Sequence, residues 1–213
     1  DSRYIDSIVI VFMFLGGVNF SLIYNALSGK IRVLWENEVL RWYVLLCCIG
    51  TLICFGDLFY RGENSNVIDC LLDSLFHIVA TITTTGFSVE NYSWGQFSMM
   101  VLMLLMISCA CAGSTSGGLK IDRMAVMLKN VKNEFIKALH PNQVTSVRLN
   151  GKVVPYAHVQ RVIAFLVIFT LILGVSTTVL TLFNIEVFDS FFLSLLALCN
   201  VGYGLGIIGG ELF

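Results

Sequence analysis

Apolar residues dominate four windows of about 20 positions, the length that crosses a bilayer as a helix: 5–27, 41–60, 92–112 and 162–183. Two shorter apolar segments, Val67–Ile82 and Val187–Cys199, lie among them, and each ends in a polar, glycine-bearing stretch. One pattern marks both. Asp73, Ser74 and Phe76 are followed after nine residues by Gly86 and Phe87, and Asp189, Ser190 and Phe192 by Gly202 and Tyr203, offset by 116 throughout. A short apolar helix that stops at a glycine turn between longer spans reads as a re-entrant pore loop. The first copy also carries Asp69, Asp73 and His77, which are costly on a lipid-facing span.

Charge position decides the count of crossings. Of 13 Lys and Arg, three (Lys30, Arg32, Arg41) lie between the first two spans and eight lie between Lys120 and Arg161. Basic loops stay in the cytoplasm. If 67–82 crossed fully, the two basic loops would fall on opposite sides; if it enters and leaves by one face, both are cytoplasmic. The re-entrant reading therefore holds, with 61–66 and 184–186 outside. Within the second basic loop, Ile121–Leu139 has helical spacing and extends the third span into the cytosol. His140-Pro141-Asn142 ends it. Residues 144–154 then alternate apolar with polar around Asn150-Gly151, a hairpin signal. That connector is either simply solvated or a docking surface for a cytosolic partner.

Composition agrees. Hydrophobic residues make up 57% and charged residues 13%, and the mean hydropathy is +0.84; soluble domains carry roughly 25% charged residues. The class is an all-α integral membrane protein, and a soluble enzyme is excluded. The seven cysteines show no metal or redox spacing and read as buried reduced thiols. No nucleophile–base arrangement, phosphate loop or zinc spacing is present, and nothing points to nucleic acid. No signal peptide is visible, and the chain reads as part of a longer polypeptide.

An ion crossing a bilayer exchanges its hydration shell for protein oxygens, which backbone carbonyls supply where the chain leaves the helix. Such backbone survives at membrane depth only around a water-filled path or within protein, and glycine allows the close approach it requires. Thr83-Thr84-Thr85-Gly86-Phe87 and Asn200-Val201-Gly202-Tyr203-Gly204 fit that description. Each follows a helix whose C-terminal partial negative charge favours a cation. The alternative is an ordinary capping turn with a left-handed glycine; the doubled spacing on one topological side argues against it. Ala112-Gly113-Ser114-Thr115-Ser116-Gly117-Gly118 cannot hold a helix. Either the third span ends there at the cytosolic face, or it breaks inside the membrane beneath the filter, and the residues leave both open. His77 reads as locally bonded, Asp57 as facing a vestibule or capping a helix, and Gly16-Gly17 as a close helix contact.

The Thr83–Phe87 filter segment, the run from Ala112 through Gly118 to Leu119-Lys120, Leu139-His140-Pro141-Asn142, and the run from Asn200 to Gly206 resemble the Trk/Ktr/HKT superfamily, most nearly the bacterial Trk-type potassium-uptake membrane subunits. The likeness covers nearly the whole chain, and the glycine-serine stretch followed by Lys120 is its most specific element. It implies tandem helix–pore-loop–helix repeats, four around one pore. Residues 1–30 would be the closing helix of the second repeat, and 31–139 the third repeat with a broken inner helix. Residues 140–155 would be a cytoplasmic linker, and 156–213 the start of the fourth repeat without its inner helix. It further implies a filter at Thr83, Thr84, Thr85, Gly86, Asn200, Val201, Gly202 and Tyr203, with potassium held at Thr84, Thr85, Asn200 and Val201. Ala112, Gly113, Ser114, Thr115, Ser116, Gly117 and Gly118 become an intramembrane gating loop. The implied cargo is K+ with no organic cofactor. The implied setting is a multi-pass homodimer in the bacterial inner membrane, in contact with lipid and a cytosolic nucleotide-binding regulatory subunit. A glycine in every filter is linked with potassium, and a serine in one with sodium. Tyr203-Gly204 departs from the family pattern toward that of potassium channels. The competing readings are a sodium-permeable relative, a two-pore-loop channel subunit that dimerises, and a non-conducting assembly subunit.

Overall fold

The computed structural model describes residues 3–62, 66–88, 94–140, 143 and 145–202. Among these residues the helices are α1 (Arg3–Gly17), α2 (Phe20–Leu27), α3 (Arg32–Glu36), α4 (Glu38–Arg61), α5 (Val67–Ile82), α6 (Gln96–Ser108), α7 (Ile121–Leu139), α8 (Tyr156–Thr181) and α9 (Val187–Cys199). The strands β1 (Arg148–Leu149) and β2 (Lys152–Val153) form one small hairpin. The all-α membrane class is correct.

Only α4 and α8, of 24 and 26 residues, are long and apolar enough to cross a membrane unaided among the described residues. The stretch expected to span at 5–27 is instead two helices bent by 106°. Asn19 causes the second to start: its side-chain oxygen accepts from the Ser21 amide at 2.8 Å, an N-cap. Among the described residues, the stretch at 92–112 contains only the 13-residue α6, which ends where Cys109 leaves the helix at φ 45°. Asn37 caps α4 through Leu40 N at 3.0 Å, and Gly62 at φ 70° closes it.

The centre of the molecule is α5. It packs on α1, α4 and α6, while α9 packs on α6 and α8. From Phe76 to Ile82 every residue of α5 is buried. Polar side chains are tolerated there because each bonds one turn back: Ser74 Oγ to Cys70 O at 2.7 Å, His77 Nδ1 with Asp73 O at 2.9 Å, and Thr81 Oγ1 to His77 O at 2.6 Å. The outer faces of α4 and α8 expose Leu45, Ile49, Leu52, Val167, Leu171 and Val175, a surface suited to hydrocarbon rather than water.

The hairpin pairs Arg148 with Val153 and Leu149 with Lys152. Asn150 and Gly151 take φ 49° and 75°, as a two-residue type I′ turn demands. It is pinned, not floating. Asn150 Oδ1 accepts from Glu38 N at 2.7 Å, and Lys129 bonds both Glu38 (2.5 Å) and Arg148 O (2.8 Å). A small cluster of Val126, Val147, Val159 and Val162 joins α7, the hairpin and α8. These contacts bring both basic stretches to one end of the helical bundle, the arrangement that charge position alone required. Residues Pro141, Asn142 and Val144 lie outside the described residues.

Close packing at the centre gives a first expected result. A Cβ on Gly50 of α4 would lie 2.8 Å from Leu105 Cδ1 and 3.1 Å from Ile78 Cδ1. Gly50→Val is expected to destabilise the folded protein by about 1–3 kcal/mol through overpacking. A lowered thermal midpoint in detergent would register this, and an unchanged midpoint would contradict it.

Candidate functional site

The two short helices end in the same turn. At the end of α5, Thr84 N donates to Thr81 O (3.1 Å) and Thr85 N to Ala80 O (3.0 Å); Thr84 is left-handed at φ 54°. At the end of α9, Asn200 N donates to Ala197 O (3.3 Å) and Val201 N to Leu196 O (3.0 Å), with Asn200 at φ 62°. Both are paired six-to-one and five-to-two closures of a helix end, and every atom pair is offset by the same 116 positions that relate the motifs. The capping reading is therefore correct about the turn, but it does not explain the glycines. The left-handed residues that close the helices are Thr84 and Asn200; Gly86, itself at φ 78°, and Gly202 come two positions later, beyond the caps. A β-branched threonine in that region is strained, a condition that collects at functional sites.

Beyond each cap the chain has left the helix, so the carbonyls of Thr85 and Val201 stand outside the helical ladder. Thr83 Oγ1 bonds Val79 O (2.6 Å) and Thr85 Oγ1 (2.7 Å), which braces the first turn from behind. The two glycines then meet. A Cβ on Gly86, at φ 78°, would lie 2.5 Å from Gly202 N and 2.7 Å from Gly202 Cα. The reverse contact is loose, at 3.8 Å from a Gly202 Cβ to Gly86 Cα. Tyr203 lies outside the described residues, as does everything after it.

The glycine-serine stretch is a closed excursion between α6 and α7. Ile121 N donates to Ala110 O at 3.1 Å, so the ends of the loop meet. Its tip rests against both turns: Gly117 N donates to Thr84 Oγ1 at 2.9 Å, and a Gly117 Cβ would run into Cys199 O and lie 3.2 Å from Asn200 Cβ. Lys120, left-handed at φ 63°, gathers the loop's oxygens. Its ammonium donates to Ser116 Oγ (3.0 Å), Ser114 Oγ and Ser114 O (both 3.4 Å), and Ser116 O. After the loop the chain enters the 19-residue α7, whose first turns bury Ile121, Ala125 and Val126.

The loop also rests on the α1–α2 bend. Cys111 N donates to Gly17 O (3.1 Å), Thr115 N to Gly16 O (3.2 Å) and Phe20 N to Gly113 O (3.2 Å), while Asn19 Nδ2 donates to Ala112 O (2.7 Å). Sequence reasoning gave Asn19 no role at the site, although an amide inside an apolar window was the available signal. Gly17 does mark a close contact, since its missing Cβ makes room for the Tyr43 hydroxyl and Thr83 Cγ2. Asp57 caps α6, accepting from Gly95 N at 2.9 Å, and pairs with Arg61 at 3.1 Å. Asp73 is buried against Arg3 at 2.6 Å. The His77 ring packs edge-on to Trp94 at 5.1 Å. No cluster of three or more His, Cys, Asp or Glu stands at metal-holding distance among the described residues.

The model of the family described as "TrkH: Cation transport protein" matches residues 1–212. The "Trk system potassium uptake protein TrkH" of Escherichia coli K12 is 28% identical over 213 residues, covering 99% of this chain and 44% of that protein. TrkG of the same strain, also titled a Trk system potassium uptake protein, is 27% identical over 197 residues, covering 92% of this chain and 40% of its own. The crystal structure of the potassium transporter TrkH from Vibrio parahaemolyticus superposes with a TM-score of 0.90 at 26% identity, over 98% of this chain and 46% of that one. The chain thus spans less than half the length of these relatives. With a family match over residues 1–212 and two matched helix-end turns, the chain belongs to the TrkH family of cation transport proteins, a family of transporters and not of enzymes.

Proposed function

We propose that this chain supplies two neighbouring quarters of the ion pathway of a Trk-type potassium-uptake protein. The observation that carries the reading is the pair of identical helix-end turns whose glycines touch each other while the glycine-serine loop rests against both. The carbonyls of Thr84, Thr85, Asn200 and Val201 replace water around K+, and the C-terminal ends of α5 and α9 add partial negative charge. Ala112 to Gly118 obstruct the pathway below the filter and form the gate.

The contact between the glycines is head-to-tail, because Gly86 presents its tight side and Gly202 its loose one. Such a contact continues around an axis and closes only with further copies. Four repeats meet that need, with 1–30 closing the second, 31–139 forming the third and 156–213 opening the fourth. The linker 140–155 and α7 form the basic cytosolic end, where a nucleotide-binding regulatory subunit docks. The protein works as a homodimer in the bacterial inner membrane.

The test is potassium uptake by a transport-deficient bacterial strain that expresses the full-length protein. Growth at low potassium supports the reading. Sodium entry in place of potassium assigns the pathway to the sodium-permeable branch, and a membrane-resident protein without any cation uptake sinks the pore assignment.

A further inference from the structure

We propose that Asn19 is the latch that holds the glycine-serine loop in its obstructing position. The inference rests on the gating role of that loop and goes beyond it, because it assigns control of the loop to a different inner helix. Breaking a helix at Val18 and Asn19 strands backbone groups that water cannot reach at membrane depth. The carbonyls of Gly16 and Gly17 and the amide of Phe20 are three of these, and the loop satisfies all three, through Thr115 N, Cys111 N and Gly113 O. The bend and the loop therefore complete each other.

Asn19 is the side chain at the centre of this contact, and it uses both ends of its amide. Oδ1 accepts from Ser21 N at 2.8 Å and starts α2; Nδ2 donates to Ala112 O at 2.7 Å. The other side of the Ala112 residue is held too, since its N–H donates to Asp122 Oδ2 at 2.5 Å. Gly113, at φ 75°, admits the amide because a Cβ there would lie 2.9 Å from Nδ2. For the loop to swing away from Thr84 and Cys199, the Asn19–Ala112 bond must break. Straightening or tilting of α2 relative to α1 breaks it directly, so movement of the α1–α2 bend releases the gate.

The two ends of the amide allow capping and latching to be separated. Serine and aspartate cap a helix as well as asparagine does, but neither can donate to Ala112 O as the amide does. In the full-length transporter reconstituted into liposomes without a regulatory subunit, Asn19→Ser is expected to raise rubidium uptake about three- to tenfold, the weight of one hydrogen bond in the loop equilibrium. Asn19→Asp should raise it at least as much, because its carboxylate faces a carbonyl. A third variant lacking 113–118 tests the gate itself. If that deletion raises uptake while both Asn19 variants behave as the unmodified protein, Asn19 is only a cap and the latch is refuted. Reduced uptake in the Asn19 variants also refutes it. If the deletion leaves uptake unchanged, the loop is not the gate, and the gating role fails together with the latch.

Discussion

Alanine at position 86 is expected to lower potassium uptake by the full-length transporter about a hundredfold, with the protein still reaching the membrane. The backbone there is left-handed at φ 78°, which costs an L side chain roughly 1–2 kcal/mol. That strain alone would be tolerated. The larger effect is steric, because the new methyl group would sit 2.5 Å from Gly202 N and 2.7 Å from its Cα. These are backbone atoms and cannot rotate aside, so one turn must shift by about 1 Å, a displacement worth about a hundredfold in preorganised sites. Uptake normalised to membrane abundance measures the effect. Gly202→Ala extends the argument. Among the described residues its Cβ meets only Gly86 Cα, at 3.8 Å, yet a ring closed head-to-tail would present a further turn on its other side. It too should therefore inactivate the full-length protein, and normal uptake by Gly202→Ala would show that the ring does not close in this way.

Removal of the Arg3 guanidinium is expected to loosen α5, and with it the first turn. Arg3 Nη1 stands 2.6 Å from Asp73 Oδ1, and its Nε stands 3.3 Å from Asp69. The Asp73 side chain is only 4% exposed, whereas that of Arg3 is 41% exposed. Breaking a fully buried pair costs about 3–5 kcal/mol, largely from the carboxylate left behind. Solvent around Arg3 screens part of that, so Arg3→Met should destabilise the protein by about 2–3 kcal/mol. The Arg3→Met/Asp73→Leu double variant should recover much of the loss, because the carboxylate it leaves, Asp69, is partly exposed and keeps its bond from Asn66 Nδ2. Thermal unfolding in detergent decides between the outcomes. A double variant less stable than Arg3→Met would mean that Asp73 is held by its other surroundings and not chiefly by Arg3.

The parts of the site that are local in sequence are legible from the residues alone. The helices α5 and α9 occupy Val67–Ile82 and Val187–Cys199, the segments marked by apolar runs ending in polar turns. Their end-turns follow from hydrogen bonds that reach back no more than five residues, so a repeated motif repeats the geometry. The hairpin at Asn150-Gly151 is legible for the same reason, since two residues dictate its turn. Charge position likewise required both basic stretches to share one end, because the rule acts on whole loops and needs no packing detail.

The rest depends on the folded chain, wherever a backbone group takes a distant partner. Apolar windows at 5–27 and 92–112 look like continuous spans, since hydropathy counts side chains and is blind to where the main chain stops bonding to itself. Each is broken, and each break is stable because the other supplies its missing partners: Gly16 O, Gly17 O and Phe20 N on one side, Thr115 N, Cys111 N and Gly113 O on the other. Neither segment contains the information that the other is near. The contact between Gly86 and Gly202, and the rest of Gly117 on Thr84 and Cys199, belong to the same class. Residue order is enough to specify two like turns and a segment unable to stay helical. Folding brought the turns side by side, set the loop against them and joined it to Asn19, because unpaired peptide groups within a membrane must find partners wherever the fold provides them.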